Sequence, residues 1–571
     1  MRVSAVLLVA ALILLAPLPP ALGQVGGIIG QAPARDTQRP RTGTARIAGR
    51  VVNAETGSPV RRATVRVSNL DGVNIGQQPG VMTDADGNFE FRNLPGGSYA
   101  VFATKSGYLS SQQTSASDPL GKTIKLGEGE AATGTLVTLQ RAGAIGGRVL
   151  DEYGEPIANV SVQVWRRQSI QGVKRLVGAG SSNGGTNDLG QYRVFGLQPG
   201  TYYVSASARP EGGSDVEALD RSGYAPTYYP GTASVGEAQA IELVAGQDAA
   251  GIDFMLTVAR MGRVSGTVIG ASGQRTGNLG VSAQLVTSGG PMNSTYSSGG
   301  QVQQDGTFVL NNLPPGDYVL TARSYGGGRG GGQGEMEFGQ ARVHVVGDVT
   351  GVVLQMLQGS TLSGQVVYDG AASSRAGAQR VSIAATPADP YDNVGTGGAS
   401  GQVQADGTFT IRGLFGERIL RVGAPSGWML KAIYVNGRDV TDAAIPFDGR
   451  ESVTGAQVVL TDRVTHLSGT VSDEQGNAAD SAYVMLVPAD SSKPLFGGRY
   501  LRSTMARGGN PWKVDALPPG DYVAIALRST QGLDTQDSDF LDRVRKTGTR
   551  FTVREGETKD VPLKVSTIPK G

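Results

Sequence analysis

Short runs of alternating apolar and polar residues fill this chain from about residue 45 onward, and turn residues break them roughly every 8–12 positions. Such alternation is what a half-buried β-strand requires, whereas an amphipathic helix would place apolar residues three and four apart. The clearest runs share one form, apolar-x-Gly-x-Val. They are Ile47-Ala48-Gly49-Arg50-Val51, Ile145-Gly146-Gly147-Arg148-Val149, Val264-Ser265-Gly266-Thr267-Val268, Leu362-Ser363-Gly364-Gln365-Val366 and Leu467-Ser468-Gly469-Thr470-Val471. A glycine in mid-strand predicts a bulge or a close backbone approach. A turn and a Val-rich strand follow, with Val65 and Val67 in the first case and Val160, Val162 and Val164 in the second.

A second phrase recurs about a hundred residues apart, and a fixed period is the mark of a repeat architecture. It reads NLPGGSY at 93–99, GLQPGTY at 196–202, NLPPGDY at 312–318 and ALPPGDY at 516–522, with a worn copy, GLFGERI, at 413–419. The leucine suits a core, Pro-Gly turns the chain, and Tyr99, Tyr202, Tyr318 and Tyr522 stand five residues after it. Before the phrase come Asp-Gly turns leading into aromatics, as in Asp86-Gly87-Asn88-Phe89, Asp305-Gly306-Thr307-Phe308 and Asp406-Gly407-Thr408-Phe409. Asp-Gly between alternating residues is a strong hairpin signal because glycine tolerates positive φ. In the last copy Gly509-Asn510-Pro511-Trp512 stands in that place. No long stretch has helical period. The pattern predicts an all-β chain: a tandem array of five seven-stranded antiparallel Greek-key sandwiches, each with its own core, strung as beads. The expected units are 45–140, 141–260, 261–359, 360–463 (the divergent one) and 464–571.

The beginning of the chain reads differently. Arg2, the apolar run Val6 to Leu15 and Ala21-Leu22-Gly23 have the form of an export signal over 1–23. Residues 24–44 read as a flexible leader. No later segment is apolar over the roughly 20 residues that a span requires, so no membrane span is expected after removal of the signal. The expected location is exported: periplasmic, outer-membrane-associated or extracellular. The chain has no cysteine, which excludes a disulfide framework. Its 86 glycines are about twice the usual share of about 7%, and they sit at turn positions between apolar strands rather than in a disordered tract. The 51 basic and 49 acidic residues nearly cancel, which leaves no electrostatic footprint for nucleic acid.

Taken together, the G-x-V strand, the G-x-P turn (Gly57-Ser58-Pro59 and Gly154-Glu155-Pro156), the Val-rich strand, D-x-x-G-x-F (Asp84 to Phe89) and L-P-P-G-x-Y resemble the carboxypeptidase regulatory-like family. Residues 49–105 resemble it most and 147–206 follow. The resemblance implies a transthyretin-like (prealbumin-like) sandwich and a place beside starch-binding-like and collagen-binding modules. It also implies an accessory part of an exported, cell-surface or outer-membrane protein rather than an enzyme.

Little chemistry competes with that expectation. His344 and His466 are the two histidines, and neither has an acidic neighbour at metal-ligand spacing. No metal site, cofactor or catalytic residue is expected. Gly180-Ser181-Ser182-Asn183-Gly184 has the letters of a nucleophile elbow but lies in a Gly/Ser run without a following helix. Gly121-Lys122-Thr123 lacks the first glycine of a P-loop, since Ala116 occupies it. Asp84-Ala85-Asp86-Gly87-Asn88 opens like a calcium loop, but its twelfth position is Pro95 rather than glutamate. Gly326 to Gly334 reads as a loop tip rather than an RNA-binding stretch.

Aromatics offer the one binding expectation. Tyr224, Tyr228 and Tyr229 lie in a long insertion of the second unit, and Trp165 belongs to the same unit. Rigid apolar rings with polar tips stack on sugars and prolines, so these four residues are the expected ligand-binding set. The same rings can instead fill a seam. Two functions follow. The first is carbohydrate binding or cell-surface adhesion, with a glycan or an envelope protein as partner. The alternative is a structural spacer or assembly partner with no small-molecule site. A solvent-facing ring cluster separates the two, and packing of Tyr224, Tyr228 and Tyr229 into a core favours the second.

Overall fold

In a computed structural model the described residues are 42–71, 79–111, 122–170, 172–182, 185–208, 222–276, 279–286, 297–324, 337–370, 381–389, 399–479, 481–495, 498–507, 509–530 and 533–566. The export segment, most of the leader, the P-loop-like Gly121 and the Gly326–Gly334 stretch lie outside them.

The first unit sets the pattern. Its strands are β1 (Ala45–Asn53), β2 (Thr64–Asn69), β3 (Val81–Met82), β4 (Asn88–Leu94), β5 (Gly97–Thr104), β6 (Lys122–Leu126) and β7 (Ala131–Leu139). They form two sheets, β4-β1-β7 and β3-β2-β5-β6. The third unit repeats this three-plus-four arrangement, and the second, fourth and fifth elaborate it with extra short strands. All described neighbours in the first unit are antiparallel except β1 and β7, which run parallel. Five clusters of buried apolar side chains follow one another along the chain, centred on Ile47, Ile145, Val264, Leu362 and Leu467.

The mid-strand glycines are explained by that parallel pair. A side chain on Gly49 would overlap the Thr135 carbonyl, and Gly147, Gly266, Gly364 and Gly469 would overlap those of Ile252, Val352, Ala456 and Val561. Opposite each glycine on the antiparallel side stands an aromatic: Phe89, Tyr192, Phe308, Phe409 and Trp512. The glycine thus lets a bulged parallel strand close in while a ring fills the core beneath it. Trp512 holds this slot although its turn lost the Asp-Gly-aromatic form, and it is 1% exposed.

The recurring leucine-tyrosine phrase is a corner between the two sheets. The residue before the leucine is left-handed in all five units, at φ 59° for Asn93, 79° for Gly196, 59° for Asn312, 72° for Gly413 and 58° for Ala516. The tyrosine hydroxyl then donates back to the carbonyl four residues earlier. The distances are 2.6 Å from Tyr99 to Pro95, 2.6 Å from Tyr202 to Gln198, 2.8 Å from Tyr318 to Pro314 and 2.8 Å from Tyr522 to Pro518. Each ring is buried, so the bond satisfies a hydroxyl that would otherwise carry a desolvation cost.

One element departs from the pattern read in the sequence. A helix, α1 (Ser538–Thr547), packs Phe540, Leu541 and Val544 on the outer face of the fifth unit against Met485, Val523 and Ile525. Asp537 caps it, accepting from the N–H groups of Asp539 and Phe540. The spacing of Phe540, Leu541 and Val544 is helical, but three apolar residues in one ten-residue helix among strands are a weak signal. Side chains of successive units also touch. Phe338 and Phe415 rings from the third and fourth units lie 5.1 Å apart, and Asp442 of the fourth accepts from Tyr500 of the fifth at 2.9 Å. The hairpin of the second unit (Ser161–Ile170 and Val173–Ala179) reaches the fifth, where the Ser169 hydroxyl donates to Asp537 at 3.0 Å.

Candidate functional site

The expected aromatic set does not form an exposed platform. Trp165 sits on the strand Ser161–Ile170 and is 4% exposed; Tyr228 sits on the short strand Thr227–Tyr228 and is 1% exposed. The two share a small cluster with Leu176 and Val235, on the opposite face of the sheet from the main core. The Trp165 indole donates to the Ser205 hydroxyl at 2.7 Å, which satisfies its buried N–H. The described part of the insertion thus pairs with the sheet through Thr227 and Tyr228 and closes a second core over Trp165.

Tyr224 and Tyr229 keep partial exposure. Tyr229 packs edge-on against Phe254, with ring centroids 6.1 Å apart. Tyr224 donates its hydroxyl to Glu152 at 2.7 Å. Burial, and next the Glu152 carboxylate that accepts its proton, pushes its phenol well above the ordinary value. Nearby, Tyr153 is 84% exposed on the tip of the turn that Asp151 ties by accepting from the N–H groups of Tyr153 and Glu155. Sequence reading passed over Tyr153 because a single tyrosine in a turn carries no periodic signal.

The other chemical candidates resolve into structure. His344 and His466 are exposed and each faces an aspartate on the neighbouring strand, Asp317 and Asp515, both at 2.8 Å. No group of three or more His, Asp or Glu side chains able to hold a metal occurs among the described residues. Ser181 and Ser182 form a short strand paired with Phe195 and Val194, not a strand-to-helix elbow; Asn183 and Gly184 lie outside the described residues. The calcium-like loop is a tight turn joining β3 to β4, which lie in different sheets and do not form the expected hairpin; in it Asp84 accepts from the N–H groups of Asp86 at 2.9 Å and Asn88 at 2.8 Å. No described helix is long and apolar enough to cross a membrane.

Three clefts lie beside β4 and its counterparts in the second and third units, of about 730, 660 and 870 Å³. In the first two, arginines and carboxylates share the lining. Arg46 pairs with Glu90 at 3.5 Å, and Arg148 pairs with Asp253 at 2.9 Å. The third differs in its charge.

The fold and these sites define a class: a chain of prealbumin-type sandwiches whose repeated residues build corners and cores. Residues 46–139 match the model of the carboxypeptidase regulatory-like domain, and this part of the chain is such a domain. A 184-residue stretch is 28% identical to serine-aspartate repeat-containing protein F of Staphylococcus epidermidis. The match covers 29% of this chain and 10% of the relative, so the chain spans about a tenth of the length of the curated relatives it matches. Among solved structures, the Streptococcal ancillary pilin is similar at 13% identity, over 55% of this chain and 98% of the pilin, with a TM-score of 0.18. The shaft pilin SpaA of Lactobacillus rhamnosus GG is similar at 10% identity, over 38% of this chain and 97% of the pilin, with a TM-score of 0.19.

Proposed function

We propose that this chain is an exported, non-enzymatic modular protein that acts in adhesion or assembly at the cell surface, divided into five units at the boundaries given above. The observation that carries this reading is where the chemistry goes. Aromatics, aspartates and histidines that could serve a reaction are spent on corners, turns and cross-strand pairs. Similarity to a serine-aspartate repeat-containing protein over part of the chain is compatible with such a role.

Of the two partner classes, an envelope protein gains from the packing. Burial of Trp165 and Tyr228 removes the ring cluster that a stacking sugar site would use, and it leaves Tyr224 and Tyr229 as the remaining members of that set. Contacts between units, such as Ser169 with Asp537, favour a stiff spacer with defined faces. The test applies the chain without its first 23 residues to a glycan array and to isolated envelope fractions, beside a Tyr224→Ala, Tyr229→Ala double variant. Envelope binding that the double variant leaves intact supports assembly. Glycan binding that the variant abolishes supports the carbohydrate reading. Peptidase or glycosidase activity in pure protein, read by zymography, overturns both.

A further inference from the structure

The cleft of the third unit is the largest of the three, about 870 Å³, within the range of small-ligand sites. Arg263, Arg323, Gln301, Gln303, Asn311 and Ser282 are among its lining residues. No described residue lining it is acidic, unlike the clefts of the first two units, which carry Asp84 and Glu90, and Asp253. The strand Ser297–Gln301 has the sequence SSGGQ, so the middle of one wall is bare backbone. Gly300 allows that strand to approach the Val309 carbonyl, whereas a side chain on Gly299 would meet only the Val281 carbonyl oxygen at 3.8 Å. The cleft therefore combines guanidinium forks, amide donors and acceptors, hydroxyls and an open backbone floor.

We propose that this cleft binds an acidic saccharide, with its carboxylate or sulfate on Arg263 and its hydroxyls on the glutamine, asparagine and serine side chains. An arginine fork matches a planar carboxylate or a sulfate edge through paired N–H donors. Primary amides and hydroxyls both donate and accept, which is what a ring bearing several hydroxyl groups demands. Arg263 makes no ion pair with a described carboxylate and is exposed to solvent. The inference deepens the adhesive reading by naming a ligand class, and rests on it only in that such a ligand is met outside the cell.

Isothermal titration of the chain from residue 24 onward is the test, with trigalacturonate as the carboxylate probe, a heparin-derived tetrasaccharide as the sulfate probe and maltotetraose as the neutral probe. Arg263→Glu reverses the charge at an exposed site, and Gly299→Leu fills the cleft; thermal melts equal to the parent protein show that both fold. Binding of at least one acidic probe, weakened tenfold or more by Arg263→Glu and also reduced by Gly299→Leu, is expected, with no heat from maltotetraose. Preference for one acidic probe tells carboxylate from sulfate recognition. Absence of binding to both acidic probes, equal binding of maltotetraose, or indifference to both variants overturns the proposal. Retained binding to envelope fractions under those outcomes would leave the adhesive reading standing without this site.

Discussion

The Nε of Arg418 donates to the carbonyl oxygen of Phe415 at 2.6 Å, in the place where the other four units put a tyrosine hydroxyl on a carbonyl. The registers coincide: Gly97 and Tyr99 pair with Leu126 and Ile124, as Gly416 and Arg418 pair with Phe447 and Ile445. The fourth unit lost one residue of the phrase and replaced a ring by a guanidinium that is 2% exposed. The bond to the corner carbonyl is conserved in kind, while the atom that makes it is not. Tyr522→Phe should therefore cost about 1–2 kcal/mol, the penalty for stranding a buried carbonyl. Arg418→Ala loses packing as well and should cost about 3 kcal/mol. Calorimetric unfolding of each variant reads both, and an Arg418→Ala protein that melts like its parent would refute the corner role.

A methyl group on Gly364 is expected to be harsher than its size suggests. It would strike the backbone carbonyl of Ala456, with Phe409 packed on the opposite side, and backbone cannot swing aside as a flexible side chain can. Overpacking costs about 1–3 kcal/mol and more where nothing relaxes, so Gly364→Ala should lower or abolish the melting transition of the fourth unit. The transitions of the first and second units should stay in place. Gly57→Ala, where nothing lies nearby, separates this clash from strain alone, since Gly57 has φ 68° and an open surround.

Much of this was legible in the sequence because strand alternation and turn chemistry are local. Gly49 announced a close approach, and Leu94 and Tyr99 announced a corner; the Asp-Gly signal announced a tight turn, but in the first unit β3 and β4 on either side of it pair in different sheets instead of forming a hairpin. What stayed hidden depends on pairing across the fold. The substitution of Arg418 for a tyrosine reads as decay until the register shows both on one carbonyl. Trp165 and Tyr228 read as a binding face because amphipathic rings suit surfaces and seams alike, and only the pairing of Thr227 and Tyr228 with Ala206 and Ser205 decides between them. The cleft of the third unit was equally invisible, since Arg263, Gln301 and Asn311 come from three separate strands.

Ala516 occupies the left-handed corner position where the other units place Asn or Gly, at φ 58°. A Cβ next to the following carbonyl costs about 1–2 kcal/mol there for an ordinary residue, and asparagine relieves part of it through its own backbone hydrogen bonding. Ala516→Asn is expected to stabilise the fifth unit by about 0.5–1 kcal/mol, and Ala516→Gly by a similar amount. Urea unfolding followed at Trp512, in the core of that unit, measures the shift. A lower midpoint for both variants would contradict it.

Acid should loosen the first unit through a single turn. The Asn88 backbone N–H, then its side-chain amide, hydrogen-bond the charged form of Asp84 and hold its carboxyl below the ordinary aspartate range. A folded value below the unfolded one contributes stability above the ordinary pKa of about 3.9, and that contribution is lost as pH falls through the lower folded value. In the second unit Asn187 accepts from the N–H groups of Leu189 and Gln191 in the same position and does not titrate. Asp84→Asn should thus flatten the fall in melting temperature of the first unit between pH 5 and about pH 3. An unchanged slope would assign the acid sensitivity to other carboxylates.

Asp537 has two tasks that one substitution can separate. Its carboxylate caps α1, and its second oxygen accepts from the Ser169 hydroxyl at 3.0 Å and faces Lys174 at 3.3 Å in the second unit. Burial raises its proton affinity, but the hydrogen bonds from Ser169 and the Phe540 N–H, with the Lys174 ammonium beside them, outweigh that and leave it below the ordinary value. Asparagine is as good a cap as aspartate, so Asp537→Asn should keep the helix while removing the charge that holds Lys174. Asp537→Ala removes both, and the cap alone is worth about 0.5–2 kcal/mol. Hydrogen exchange then distinguishes them. Asp537→Asn should speed exchange in the 161–179 hairpin while leaving α1 protected, and Asp537→Ala should speed it in both. Equal protection of the hairpin in all three proteins would show that the second and fifth units do not depend on each other through this residue.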